Sequence, residues 1–359
     1  MRVRRLTRAL AAAAVLALAV AATATATKPG SGGSTGTGQV FWINPVQSLQ
    51  DESLTDQKDS AAAVPQSAYK TVTLTNLDGS GFLQGDYARV RTETGTPAYS
   101  TSNTFVYTRD QDQFEQVMAY YWITEAQKYL RSIGFDGSTF GTILGDGIDV
   151  RINQYGVDNS FFWDKHHYLR FGKGGVDDAE DAEVILHEYG HAIQDSQVPG
   201  FGSTPDAGAI GEAFGDYFAV SFGNLFSGNT YEEPCVADWD STSYTRGPIH
   251  CLRRVDGNKH YPADLDPNRE VHNDGEIWSR ALWDIHQGLA AAHGATAGVN
   301  LANRIIIDAQ FGFAADTTFQ AAAVQTVATA KTLGSPADTA TVCKAFVDRG
   351  FITTADCGL

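Results

Sequence analysis

The segment HEYGH, residues 187–191, constrains this chain more than any other. Its histidines, His187 and His191, stand four apart, and a helix brings side chains at that spacing onto one face. Two imidazoles so placed can bind one metal ion. Glu188, beside the first, can reach a water activated by that metal without becoming a ligand itself. A catalytic zinc takes three protein ligands and keeps one position open. The extended form H-E-x-x-H-x-x-G-x-x-H is excluded, because Gln194 and Gln197 stand where it needs Gly and His. The other source of a third ligand is a Glu on a following helix. GAIGEAFGDYFAV (208–220) offers Glu212, an acid among Ala, Ile, Gly and Phe that needs a partner, and a zinc ion is one. Asp216, four residues further on the same face, suits a supporting role as acceptor for the free N–H of a ligating imidazole.

The rest of the chain places this motif. TVTLTNLDGSGFLQGDYARVRT (71–92) alternates apolar and polar residues around Asp-Gly-Ser-Gly, which predicts a hairpin. Short strands are expected at 103–108, 147–155, 159–163 and 167–171. Between them, Phe114, Met118, Tyr121, Trp122, Ala126, Tyr129, Leu130 and Ile133 fall at helical steps and predict a helix over 111–133. The acidic run DDAEDAE (177–183) suits a helix start, so the motif helix should begin near Asp178 or Ala179 and run to about Gln194. Further helices are expected at 207–222, 273–292, 297–313, 316–331 and 338–349, with 223–269 rich in loops. Strands first and helices later argue for α+β rather than a doubly wound sheet.

The N-terminus reads as an export signal. Arg2, Arg4, Arg5 and Arg8 precede an uncharged apolar run, Ala9–Ala22, and then small-x-small cleavage patterns. Residues 1–26 are assigned to the signal and 27–64 to a flexible leader or short N-terminal segment. A catalytic domain follows at 65–359, with a strand-rich lobe to 186 and a helical lobe from 187. Without the four arginines, 26 basic residues fall to 22 against 42 acidic ones, a net of −20. That balance argues against nucleic acid and against anionic membrane surfaces. Cys235, Cys251, Cys343 and Cys357 suggest two bridges in an oxidising compartment. Three pairings are open, and the local one, Cys235–Cys251 with Cys343–Cys357, is favoured.

HEYGH followed by E-x-x-x-D about twenty residues later resembles the fungalysin family of zinc metallopeptidases, relatives of thermolysin. DDAEDAEVILHEYGHAIQD (177–195), EVHNDGEIWSRALWDI (270–285) and AFVDRGF (345–351) are similar to fungalysin segments in the same order, and the likeness spans about Tyr69 to Phe351. NSFF (159–162) resembles the edge strand that holds the substrate backbone in thermolysin-like enzymes. The resemblance implies a thermolysin-like fold and a secreted zinc endopeptidase with Glu188 as general base. It makes His272 the donor to the oxyanion, and Asn159, Ser160 and Phe161 the substrate-binding strand. It implies a peptide substrate; no stable membrane association is expected once the signal is removed, since no later stretch is apolar and long enough to span a bilayer, and a monomer is expected. About forty residues separate the signal from the strand-rich region, too few for the long inhibitory propeptide of fungalysins. Two other functions compete with this one. A silent zinc-stabilised peptide binder has no need of Glu188. A zinc aminopeptidase requires an amine-capturing segment, and no G-A-M-E-N-like run is present. Arg246 is a further candidate for shaping the site. The acidic loops are candidates for Ca²⁺, although no D-x-[DN]-x-[DN]-G loop occurs. The remaining histidines read as structural.

Overall fold

The computed structural model describes residues 33–91 and 95–359, and the expected signal peptide lies outside them. The chain enters on β1 (Ser34–Phe41), passes through the short helix α1 (Pro45–Leu49) and returns on β2 (Tyr69–Leu77). β1 pairs antiparallel with β2, from Ser34↔Leu77 to Phe41↔Tyr69. The expected leader is therefore, in its described part, a built piece of the fold: Val40 and Phe41 are completely buried. The glycines that suggested flexibility serve close packing instead. A Cβ on Gly38 would stand 2.9 Å from side-chain carbons of both Leu74 and Val117.

The expected hairpin over 71–92 does not form. Its second arm is reduced to β3 (Ala88–Val90), which joins a different sheet. Its first arm finds a longer partner in β1, and the two arms enter one common core from different sheets. The turn between them is closed locally, by Asp78 Oδ1 accepting from Ser80 N at 2.8 Å. After β4 (Thr104–Phe105), parallel to β1, comes α2 (Gln113–Ser132), in agreement with its periodicity. Phe114, Met118, Trp122 and Leu130 are its fully buried stripe.

The second sheet has the order β3-β5-β7-β6, with β5 (Ile148–Arg151), β6 (Phe161–Trp163) and β7 (Tyr168–Arg170). β6 is an edge strand, antiparallel to β7 through Phe162↔Leu169. The metal-motif helix α3 (Ala182–Gln197) follows. It begins later than expected, because the acids from Asp177 to Asp181 precede the helix and only Glu183 falls in its first turn. Asp181 is the N-cap and accepts from Glu183 N at 2.9 Å. Glu180, in the 3₁₀ turn before it, pairs with the fully buried Arg109 at 2.9 Å. Behind α3, Tyr189 donates to Gln127 of α2 at 2.5 Å.

The remaining elements are α4 (Pro205–Ser227), β8 (Cys235–Val236), β9 (Arg253–Arg254), α5 (Val271–His293), α6 (Ala295–Gln310), α7 (Phe319–Leu333) and α8 (Pro336–Asp348). Thr204 caps α4 with Pro205 at its first position, and Gly228 ends it in a left-handed conformation. The fold is α+β, rich in sheet toward the N-terminus and helical toward the C-terminus. Both local disulfides form, Cys235–Cys251 and Cys343–Cys357. Among the described residues no helix is long and apolar enough to cross a membrane.

Candidate active site

Two helices supply the centre. α3 presents His187 and His191, and α4 presents Glu212. Glu212 Oε2 lies 3.2 Å from His187 Nε2, and Glu212 Oε1 lies 3.7 Å from His191 Nε2. One ligand atom from each of the three residues falls within 4.8 Å of the others. Two imidazoles and a carboxylate converging in this way are a donor set that could hold a metal ion. The helices approach closely enough to do this because glycines face each other. A Cβ on Gly190 would meet Gly215 Cα at 2.9 Å, and one on Gly215 would meet His187 Nδ1 at 2.7 Å.

The charges fit a bound cation. Burial lowers His191 to about 4, leaving a neutral imidazole with a lone pair to give. Burial also disfavours a charge on His187, but its hydrogen bonds to Asp216 and Glu212 prevail and raise it to about 10. A positive charge is thus favoured between these carboxylates, and a metal would take that proton's place. Glu212 Oε2 is buried and faces His187 Nε2 at 3.2 Å and His272 Nε2 at 3.1 Å. A buried carboxylate oxygen facing imidazole nitrogens suits a bound cation.

Glu188, next to His187 on α3, is 7% exposed, and its Oε2 is also buried without a hydrogen bond. Burial is the main reason its carboxyl is pushed up to about 7, with the Glu212 charge adding and the His187 charge opposing. A carboxylate near neutrality can take and return a proton.

Asp216 accepts from His187 Nδ1 at 2.8 Å. The sequence reading missed the residue that secures it. Arg253 on β9 grips Asp216 with Nε at 2.6 Å and Nη2 at 2.7 Å. Burial alone would raise Asp216, but Arg253 and His187 hold it down at about 2. The candidate Arg246 is exposed and does not line the cleft. The available signal for Arg253 was Asp216 itself, an acid in an apolar helix that needs more than one partner.

His272 stands in the first turn of α5. Its Nδ1 lies 2.6 Å from Glu270 Oε1 and its Nε2 lies 3.1 Å from Glu212 Oε2. Asn159 and Ser160 immediately precede β6, and Phe161 begins it. All three, with His272 and the α3 and α4 residues, line one cleft of about 840 Å³.

Residues 74–355 match the family described as Fungalysin metallopeptidase (M36). Over 200 residues the chain is 25% identical to Extracellular metalloproteinase 2 of Arthroderma otae, covering 47% of this chain and 30% of that protein. Over 125 residues it is 26% identical to the protein of the same name from Phaeosphaeria nodorum, covering 32% and 19% respectively. The matched stretches thus span less than a third of these relatives. The precursor of protealysin, a metalloproteinase from Serratia proteamaculans, shares the fold with a TM-score of 0.52 at 17% identity, over 74% of this chain and 86% of that one.

Proposed function

The chain belongs to the fungalysin metallopeptidase family, and from that premise we propose that it is a secreted zinc endopeptidase acting as a monomer on peptide substrates. The observation that carries this reading is Glu188: a buried carboxyl, unpartnered at Oε2, in the same cleft as His187, His191 and Glu212. A binding protein needs the ligands but has no use for such a group. The extracellular names of the relatives and the basic, then apolar, N-terminus support secretion.

His187, His191 and Glu212 would hold the metal. Bound there, zinc supplies Lewis-acid polarisation of the scissile carbonyl and lowers the pKa of a water. Glu188 takes the proton from that water and later returns it to the leaving amine, a task matched to its raised pKa. His272, held by Glu270, donates to the oxyanion. Asn159, Ser160 and Phe161 pair with the extended substrate along the free edge at β6. Asp216 and Arg253 fix the ring of His187.

The test is hydrolysis of casein and of end-blocked peptides by the metal-loaded protein beside Glu188→Ala. The wild type should cleave internal bonds. The variant should lose on the order of 10²–10⁴ in rate while keeping its zinc, measured by elemental analysis. Absence of cleavage by the zinc-loaded wild type would sink the proposal.

A further inference from the structure

The cleft does not end at the four residues of the centre. It continues to three carboxylates that the chemistry above leaves unused. Asp158 lies in the loop before β6. Asp178 lies in the 3₁₀ turn before α3, and Asp240 in the 3₁₀ turn Asp240–Ser243. One oxygen of each falls within 4.8 Å of the others. Asp158 is exposed at the rim, whereas Asp178 and Asp240 are 2% and 5% exposed.

The hydrogen bonding of the two buried acids is half complete. Ser160 donates to Asp178 Oδ2 at 2.5 Å, and Tyr244 donates to Asp240 Oδ2 at 2.8 Å. Asp178 Oδ1 and Asp240 Oδ1 are buried and accept from nothing among the described residues. Two orphaned anionic oxygens in a cleft wall are costly unless a donor arrives from outside. Desolvation in the cleft also pushes Asp158 up to about 6 and Asp178 up to about 7, as expected of carboxyls without a counter-charge.

Resting on the peptidase reading, we propose that Asp158, Asp178 and Asp240 form a subsite for a lysine or arginine side chain of the bound peptide. Three acceptors at about 2.8 Å around one ammonium nitrogen lie roughly 4.6 Å apart, which the three oxygens, all within 4.8 Å of one another, can accommodate. Calcium is less well served, since it takes about 6–8 oxygens at about 2.3–2.6 Å and two oxygens of the cluster already accept from hydroxyls. The position also favours a substrate group. Ser160 belongs both to the proposed substrate strand and to the cluster, so the peptide backbone and the acids share a residue. Val184 and Leu252 line the same cleft and offer apolar surface for a methylene stem.

The experiment is digestion of a randomised set of end-blocked peptides by the metal-loaded full chain, with cuts mapped by mass spectrometry. Lysine and arginine should be enriched at one position beside the cut by roughly tenfold or more over norleucine. Asp240→Asn and the rim variant Asp158→Asn should each reduce that enrichment to under about threefold. Asp158 is exposed, so its variant tests the idea even if the buried one does not fold. Cleavage with no basic preference, or a preference that survives both variants, overturns the subsite. Stoichiometric Ca²⁺ uptake lost in Asp240→Asn, with no basic preference, overturns it in favour of a metal ion. Failure to cut any peptide brings down the peptidase reading itself, and the subsite with it.

Discussion

Arg253 and Asp216 are joined by two parallel hydrogen bonds, at 2.6 and 2.7 Å, and Asp216 passes that constraint to His187. The His187 ring is therefore aimed by a strand residue from a separate loop. Asp216→Asn should weaken zinc binding by roughly 10–100-fold. Arg253→Lys should do so less, because an ammonium cannot reproduce the fork. Competition against a chromogenic chelator reads both. Unchanged affinity in Asp216→Asn would remove Asp216 from the metal's support.

The sequence made the first half of this arrangement legible and hid the second. His187, His191, Glu212 and Asp216 follow helical spacing within two neighbouring helices, and helical spacing is a local property. Arg253 reaches the site through the β8–β9 pairing and the Cys235–Cys251 bridge, which are tertiary events. Partner choice was equally hidden among the strands. Alternation in 71–92 signalled extended chain but carried nothing about whether β2 would pair forward with β3 or back with β1. In 33–41, glycine needed for close packing reads the same as glycine in a linker.

His272→Ala should lower kcat by roughly 10²–10³ with KM little changed, the pattern of a donor used mainly in the transition state. Steady-state kinetics on one blocked peptide separates the two constants. A rise in KM alone would make His272 a binding residue instead.

The two disulfides should differ in consequence. Each closes a short loop, with separations of 16 and 14 residues, so replacing either pair by serine should cost about 3 kcal/mol of stability. Losing Cys235–Cys251 should also weaken zinc binding, because it frees the strand that carries Arg253. Losing Cys343–Cys357 should leave zinc affinity as it was. Denaturant titration and zinc competition on both variants provide the comparison.

The acidic face before α3 sets a pH dependence in the metal-free chain. Burial raises Asp177 and Asp178 to about 7 and Asp158 to about 6. Between the unfolded carboxyl range, near 4, and these values, the folded state binds more protons than the unfolded one. Stability should therefore fall as pH rises from about 5 to about 8. Thermal melts in chelator across that range should show a declining Tm. A Tm that climbs with pH would mean that these carboxylates are charged and paired in the folded protein.

Gly190 and Gly215 leave α3 and α4 in contact where any side chain would hold them apart. The gap between His187 and Glu212 is thus a calibre, set by two missing methyl groups rather than by the ligands that line it. Alanine at position 215 would press on the His187 ring and widen the bore at the same time. For the metal proposed here, the fit of the site would thus depend on two residues that are not among its ligands.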